Sequence, residues 1–167
     1  MTVDQGMPPR TTDIETALGR MVYQAASLEM VMRFAGEMLA ATDRESDALA
    51  RMTAGSLMTE VTAIASRRTE ITPAECTELG NIIADARAPV ESRNTYIHGA
   101  WGEVDGILLA LNRRPRNQFR TRPLAVPDLE KLTAELQALV NRTMEWTYTV
   151  LQKTHPHIFT GDERADT

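Results

Sequence analysis

At 167 residues the chain is long enough for one domain with its own core and too short for two of ordinary size. With 43% hydrophobic and 25% charged residues it reads as globular, and no apolar run approaches the roughly 20 residues of a membrane span, which excludes a helical membrane protein. Its 18 basic and 23 acidic residues leave a net charge of -5, which excludes a protein that coats nucleic acid over its whole surface.

The opening residues 1–11 carry Gly6, Pro8 and Pro9 but no apolar core of a secretory signal, and they read as a flexible leader. A single Cys76 cannot form an internal disulfide, so a cytoplasmic location is expected. No Cys/His cluster has metal-ligand spacing, and neither a metal nor another cofactor is expected.

A helical domain is expected over residues 12–154. Its first helix starts near Asp13, a good N-cap, and runs to about Ala41 with Ile14, Leu18, Met21, Val22, Ala25, Leu28, Met32, Ala35 and Leu39 on one stripe. Glu29, at the margin of that stripe, either reaches across to an Arg or stays exposed at its edge. A polar stretch follows, with a short helix over Ser46 to Met52, and then a second secure helix from about Ser56 to Arg68.

Thr72-Pro73-Ala74-Glu75 combines a capping box with proline at the first helical position, so a third long helix starts there. Its stripe is Leu79, Ile82, Ile83, Ala86, Val90 and Ile97. Pro89 removes a backbone donor and kinks this helix or splits it at Ala88; a kink is preferred because the apolar spacing continues in phase. Gly99 reads as the left-handed residue that ends the helix at His98.

From Val104 to Ala125 helical periodicity disappears. Ile107 to Leu111 and Gln118 to Ala125 are candidate strands around a turn over Arg113 to Asn117, forming a β-hairpin or an extended loop. Pro127-Asp128 opens the last helix, to about Lys153, whose stripe of Leu129, Leu132, Leu136, Leu139, Val140, Met144, Trp146, Val150 and Leu151 is too wide for one neighbour. That helix is either central or shared with a second copy. Residues 155–167 read as a mobile tail.

Chemistry concentrates in Arg93-Asn94-Thr95-Tyr96-Ile97-His98-Gly99-Ala100-Trp101. Arg93 falls on the apolar stripe, and Asn94 and His98, four apart, share the neighbouring face. A buried unpaired charge costs several kcal/mol, so these groups satisfy one another or a ligand satisfies them. The plainer alternative is a helix cap, with Asn94 and His98 on the last carbonyls and Arg93 reaching outward. Downstream, Arg113, Arg114, Arg116, Arg120 and Arg122 crowd a segment with no acid between Asp105 and Asp128, which is either a phosphate-binding patch or a solvated loop.

The Arg93-Asn94-x-x-x-His98 core, followed by Gly99-x-Trp101, resembles the signature of the HEPN superfamily. The resemblance implies an all-α, up-and-down bundle of four or five helices, into which the β-hairpin read above would be inserted before the last helix. It also implies a metal-independent endoribonuclease of a toxin or phage-defence system, acting as a homodimer on RNA. Arg93, Asn94 and His98 would be the catalytic residues, with an antitoxin as a further partner. Other HEPN proteins are non-catalytic nucleotide- or protein-binding scaffolds, and that is the alternative function. Some HEPN toxins carry a Tyr two residues after the motif His that a partner modifies. This chain has Ala100 there and Tyr96 inside the motif, so regulation by that route is not expected.

Overall fold

Helix periodicity over most of the chain is realised as six helices and a small antiparallel sheet among the described residues, which in this computed structural model are 11–105, 107–114 and 118–160. The order is α1 (Thr11–Leu39), α2 (Asp43–Leu49), α3 (Ala54–Arg67), α4 (Pro73–His98), β1 (Ala100–Val104), β2 (Ile107–Arg114), β3 (Gln118–Pro123), α5 (Val126–Thr154) and α6 (His157–Thr160). The fold is therefore mainly helical, with its strands inserted before the last long helix. No described helix is long and apolar enough to cross a membrane.

Packing divides the chain into two compact units, Met1–Ala25 with Ala88–Leu136, and Ala26–Arg87 with Gln137–Thr167. In the second unit, helices meet through small or capped contacts. A Cβ at Gly36 would stand 2.9 Å from side-chain atoms of both Leu49 and Val61, so the absence of a side chain there lets α1 approach α2 and α3. Arg33 donates to the Leu49 carbonyl at 2.7 Å, satisfying a C-terminal acceptor of α2. Leu57, Met58, Val61, Ile64 and Ala65 form the buried face of α3, on the stripe expected of it.

The start of α4 follows its capping box. Thr72 Oγ1 accepts from the Glu75 amide, and Glu75 Oε2 accepts from the Thr72 amide at 2.9 Å. Trp146 of α5 is buried and its indole N–H donates to the Glu75 carbonyl, while Lys153 donates to the Glu75 carboxylate at 2.5 Å. That short charge-assisted bond, with the Thr72 amide behind it, holds the carboxyl down at about 2.

The sheet-bearing unit buries Ile14, Ala17, Met21 and Ala25 of α1, Val90 and Tyr96 of α4, Ala110 of β2, and Leu129, Leu132 and Leu136 of α5. Burying each large aliphatic chain contributes roughly 1.5–3 kcal/mol. The sheet order is β1-β2-β3, antiparallel throughout, with Val104 opposite Ile107 and Ala110 opposite both Trp101 and Arg122. Asp105 takes a left-handed φ of 52°, the conformation that an Asp-Gly hairpin turn requires at its first position.

Several expectations are corrected. Asp13 lies in the first turn of α1 instead of capping it, since Thr11 is already helical. The short helix begins at Asp43, three residues before Ser46, because Thr42 accepts from the Glu45 amide and Glu45 bonds the Ala41 amide. Of the two readings of Pro89 the split at Ala88 falls away and the preferred continuous helix holds, since Pro89 sits inside an unbroken α4. Gly99 does not have the left-handed φ expected of it. Its requirement is steric, as a Cβ would meet the Thr95 carbonyl oxygen at 2.6 Å and the Leu111 carbonyl oxygen at 2.9 Å. Arg113 and Arg114 belong to β2 and not to a turn. β1 was not expected at all: all five of its residues are exposed, so it lacks the apolar alternation that marks a half-buried strand. Ile158 and Phe159, within the expected tail, lie in helical α6.

Candidate functional site

The last two turns of α4 carry the motif. Arg93 and Asn94 are half-buried, and the Arg93 guanidinium donates to Asn94 Oδ1 at 2.8 Å, so these two neighbours satisfy part of each other's bonding. His98 is exposed in the final turn, one helical turn beyond Asn94. The triad is thus a hydrogen-bonded Arg–amide pair with an accessible imidazole beside it. An exposed imidazole can exchange a proton with a bound molecule, and a guanidinium can take two oxygens of a phosphate.

Tyr96 is held from two sides. It is 2% exposed, its carbonyl accepts from the Trp101 indole at 2.9 Å, and the Arg122 guanidinium stands 5.8 Å from its ring centroid, within cation–π range. Burial raises the phenol pKa, partly opposed by Arg122. Trp101 therefore anchors the helix end through a hydrogen bond while 46% of its surface stays open.

The arginine cluster is spread over two strands. Arg113 pairs with Phe119, Arg114 with Gln118, Asn112 with Arg120 and Ala110 with Arg122. Of these arginines, Arg122 stands against Tyr96, inside the motif. Arg116 lies outside the described residues. Glu29 is half-buried on α1, in the unit that does not contain the motif.

One recess was not foreseen. A cavity of about 250 Å³ is lined by Ser92, Tyr96, Arg122, Asp128, Lys131, Leu132 and Glu135. Ser92 and Tyr96 are four apart on α4, and Asp128, Lys131 or Leu132, and Glu135 follow helical spacing on α5, so each helix offers one polar edge to it. That spacing was readable in the chain; which helices would share a recess was not. Arg93, Asn94 and His98 do not line it. No group of three or more His, Cys, Asp or Glu side chains able to hold a metal ion occurs among the described residues. The chain matches no family model, no curated protein and no solved structure.

Proposed function

We propose that the chain is a metal-independent endoribonuclease of the HEPN type, acting as a homodimer in a toxin or defence system. The reading is supported by one arrangement above all: the exposed His98 imidazole one turn beyond the Arg93–Asn94 hydrogen bond. His98 takes the proton of a ribose 2′-hydroxyl, the oxygen attacks phosphorus, and the 5′-oxygen leaves with a proton from a second imidazole supplied by another copy. The products are a 2′,3′-cyclic phosphate and a 5′-hydroxyl. Arg93 carries a permanent charge and stabilises the phosphorane. Asn94 orients Arg93, and Arg113, Arg114, Arg116, Arg120 and Arg122 hold flanking phosphates. An antitoxin protein is the partner that such an activity calls for.

The test is cleavage of RNA in EDTA by the wild-type chain and by His98→Ala and Arg93→Lys. Loss of at least a hundredfold with His98→Ala is expected, the lower end of general acid–base contributions. Arg93→Lys keeps the charge, loses the planar fork, and is expected to be impaired as well. Wild-type protein that leaves RNA intact across salt and pH overturns the reading.

A second reading, a non-catalytic HEPN-like module that binds a nucleotide or protein, is favoured by the recess beside Tyr96. It offers cations, carboxylates and hydroxyls of Ser92 and Tyr96 without involving His98. Nucleotide binding abolished by Lys131→Ala and unaffected by His98→Ala would select it.

A further inference from the structure

In the unit Ala26–Arg87 with Gln137–Thr167, three helices leave large apolar side chains uncovered. Met30 and Phe34 of α1, Met144 and Tyr148 of α5, and Ile158 and Phe159 of α6 are each between 40% and 64% exposed. They line a single trough of about 450 Å³ that no charged side chain lines among the described residues. The members on α1 are four apart, as are those on α5, so each helix contributes a continuous ridge. The Tyr148 and Phe159 rings meet edge to face with centroids 5.0 Å apart, joining α5 to α6 within the trough. Met144 is the member of the over-wide α5 stripe that the core does not take in; the other eight are buried.

The size and the charge of this face restrict what covers it. Six large side chains, each about half open, expose on the order of 600 Å² per protomer, the upper end of what a soluble monomer leaves bare and close to the roughly 800 Å² per partner of a stable interface. The composition of residues 161–167 is unsuited to fill it. The seven residues after Thr160 contain four charged side chains and Ala165 as their only apolar one. A two-fold interface lays a patch against its own copy, so a patch of one charge sign repels itself whereas a neutral apolar one does not. The trough meets that condition.

We infer that the trough between α1, α5 and α6 is the surface on which a second copy of this chain docks, giving a two-fold dimer. The inference rests on the homodimer of the proposed function and names its surface; it does not rest on ribonuclease chemistry, because none of Arg93, Asn94 and His98 lines the trough. In the dimer Met30, Phe34, Met144 and Tyr148 lose their contact with water. The rotamer adaptability of methionine lets the two ridges repack against their copies.

Sedimentation of the full chain tests this. The wild type and His98→Ala are expected at twice the 18.6 kDa of one chain at about 10 μM, a concentration well above the dissociation constants of standard-size interfaces. Phe34→Glu and, separately, Met144→Glu each bury like charges across the two-fold axis, and the dimer dissociation constant should rise at least about a hundredfold. Both positions are exposed in the single chain, so circular dichroism should stay that of the wild type. As an independent measurement, peroxide oxidation of Met30 and Met144 should slow as protein concentration rises through the dimerisation range. A monomeric wild type overturns the inference, whether or not removal of residues 1–10 then increases binding of an apolar dye or another protein forms a one-to-one complex with it. Variants that dimerise like the wild type, or methionine oxidation independent of concentration, overturn it too.

Discussion

Gly99 shows how much a single position after the motif constrains. With the Thr95 and Leu111 carbonyl oxygens within 3 Å of where a methyl group would stand, neither neighbour can move without breaking backbone geometry. Gly99→Ala is expected to destabilise the protein by about 1–3 kcal/mol, the range of overpacking substitutions, as measured by urea denaturation. A glycine was readable after His98, and so was the end of α4 there, but not a glycine without the left-handed φ. The reason for it was not, because the Leu111 carbonyl arrives from twelve residues away through the β1–β2 ladder. Arg93 and Asn94 present the same division. Their types and spacing stand in the chain, whereas the hydrogen bond between them depends on side-chain torsions set by packing. Tyr96→Phe preserves the buried ring and the Trp101 bond to its carbonyl, so stability within about 1 kcal/mol of wild type is expected, with any loss reporting the phenol's own bonding.

Among the elements, the N-terminus of α4 is where local and tertiary forces converge. Thr72→Ala removes the capping hydroxyl and should cost about 1 kcal/mol of stability. The Glu75 carboxyl is held at about 2 against an ordinary 4.5, chiefly by Lys153 and then by the Thr72 amide. Because the folded value lies below the unfolded one, its contribution is fully present above about pH 4.5 and disappears as pH falls toward 2. Thermal midpoints of the wild type and Lys153→Met should therefore differ at neutral pH and converge near pH 2. The box itself was legible, since Thr-x-x-Glu with proline at the first helical position is a local signal. The Lys153 bond spans 78 residues and was not. The start of α2 at Asp43 carries a related signal, Thr42-x-x-Glu45, that could have been read in the same way. β1 carries none, because its stability comes from ladder pairing with β2 and not from burial.

For the molecule as a whole, an acidic chain with arginines gathered on two strands should bind RNA in a salt-dependent way. Each phosphate neutralised contributes about 0.9 to the slope of log affinity against log salt on a duplex and about 0.7 on a single strand. Replacing Arg114, Arg120 and Arg122 together by Ala should reduce the slope by about two on single-stranded RNA in a filter-binding titration. An unchanged slope would return the cluster to a solvated role. The sequence by itself determined the four longer helices, the β2–β3 hairpin before α5 and the capping of α4, because periodicity, turn residues and caps act within a few residues of one another. It also carried the Arg93-to-Trp101 motif. Only the tertiary structure decided that Arg122 stands over Tyr96, that a polar recess opens between α4 and α5, and that α5 leaves Met144 and Tyr148 uncovered beside Met30 and Phe34. Those are meetings of residues far apart in the chain, and a pattern repeating every three or four residues states which face is apolar without stating what will come to cover it.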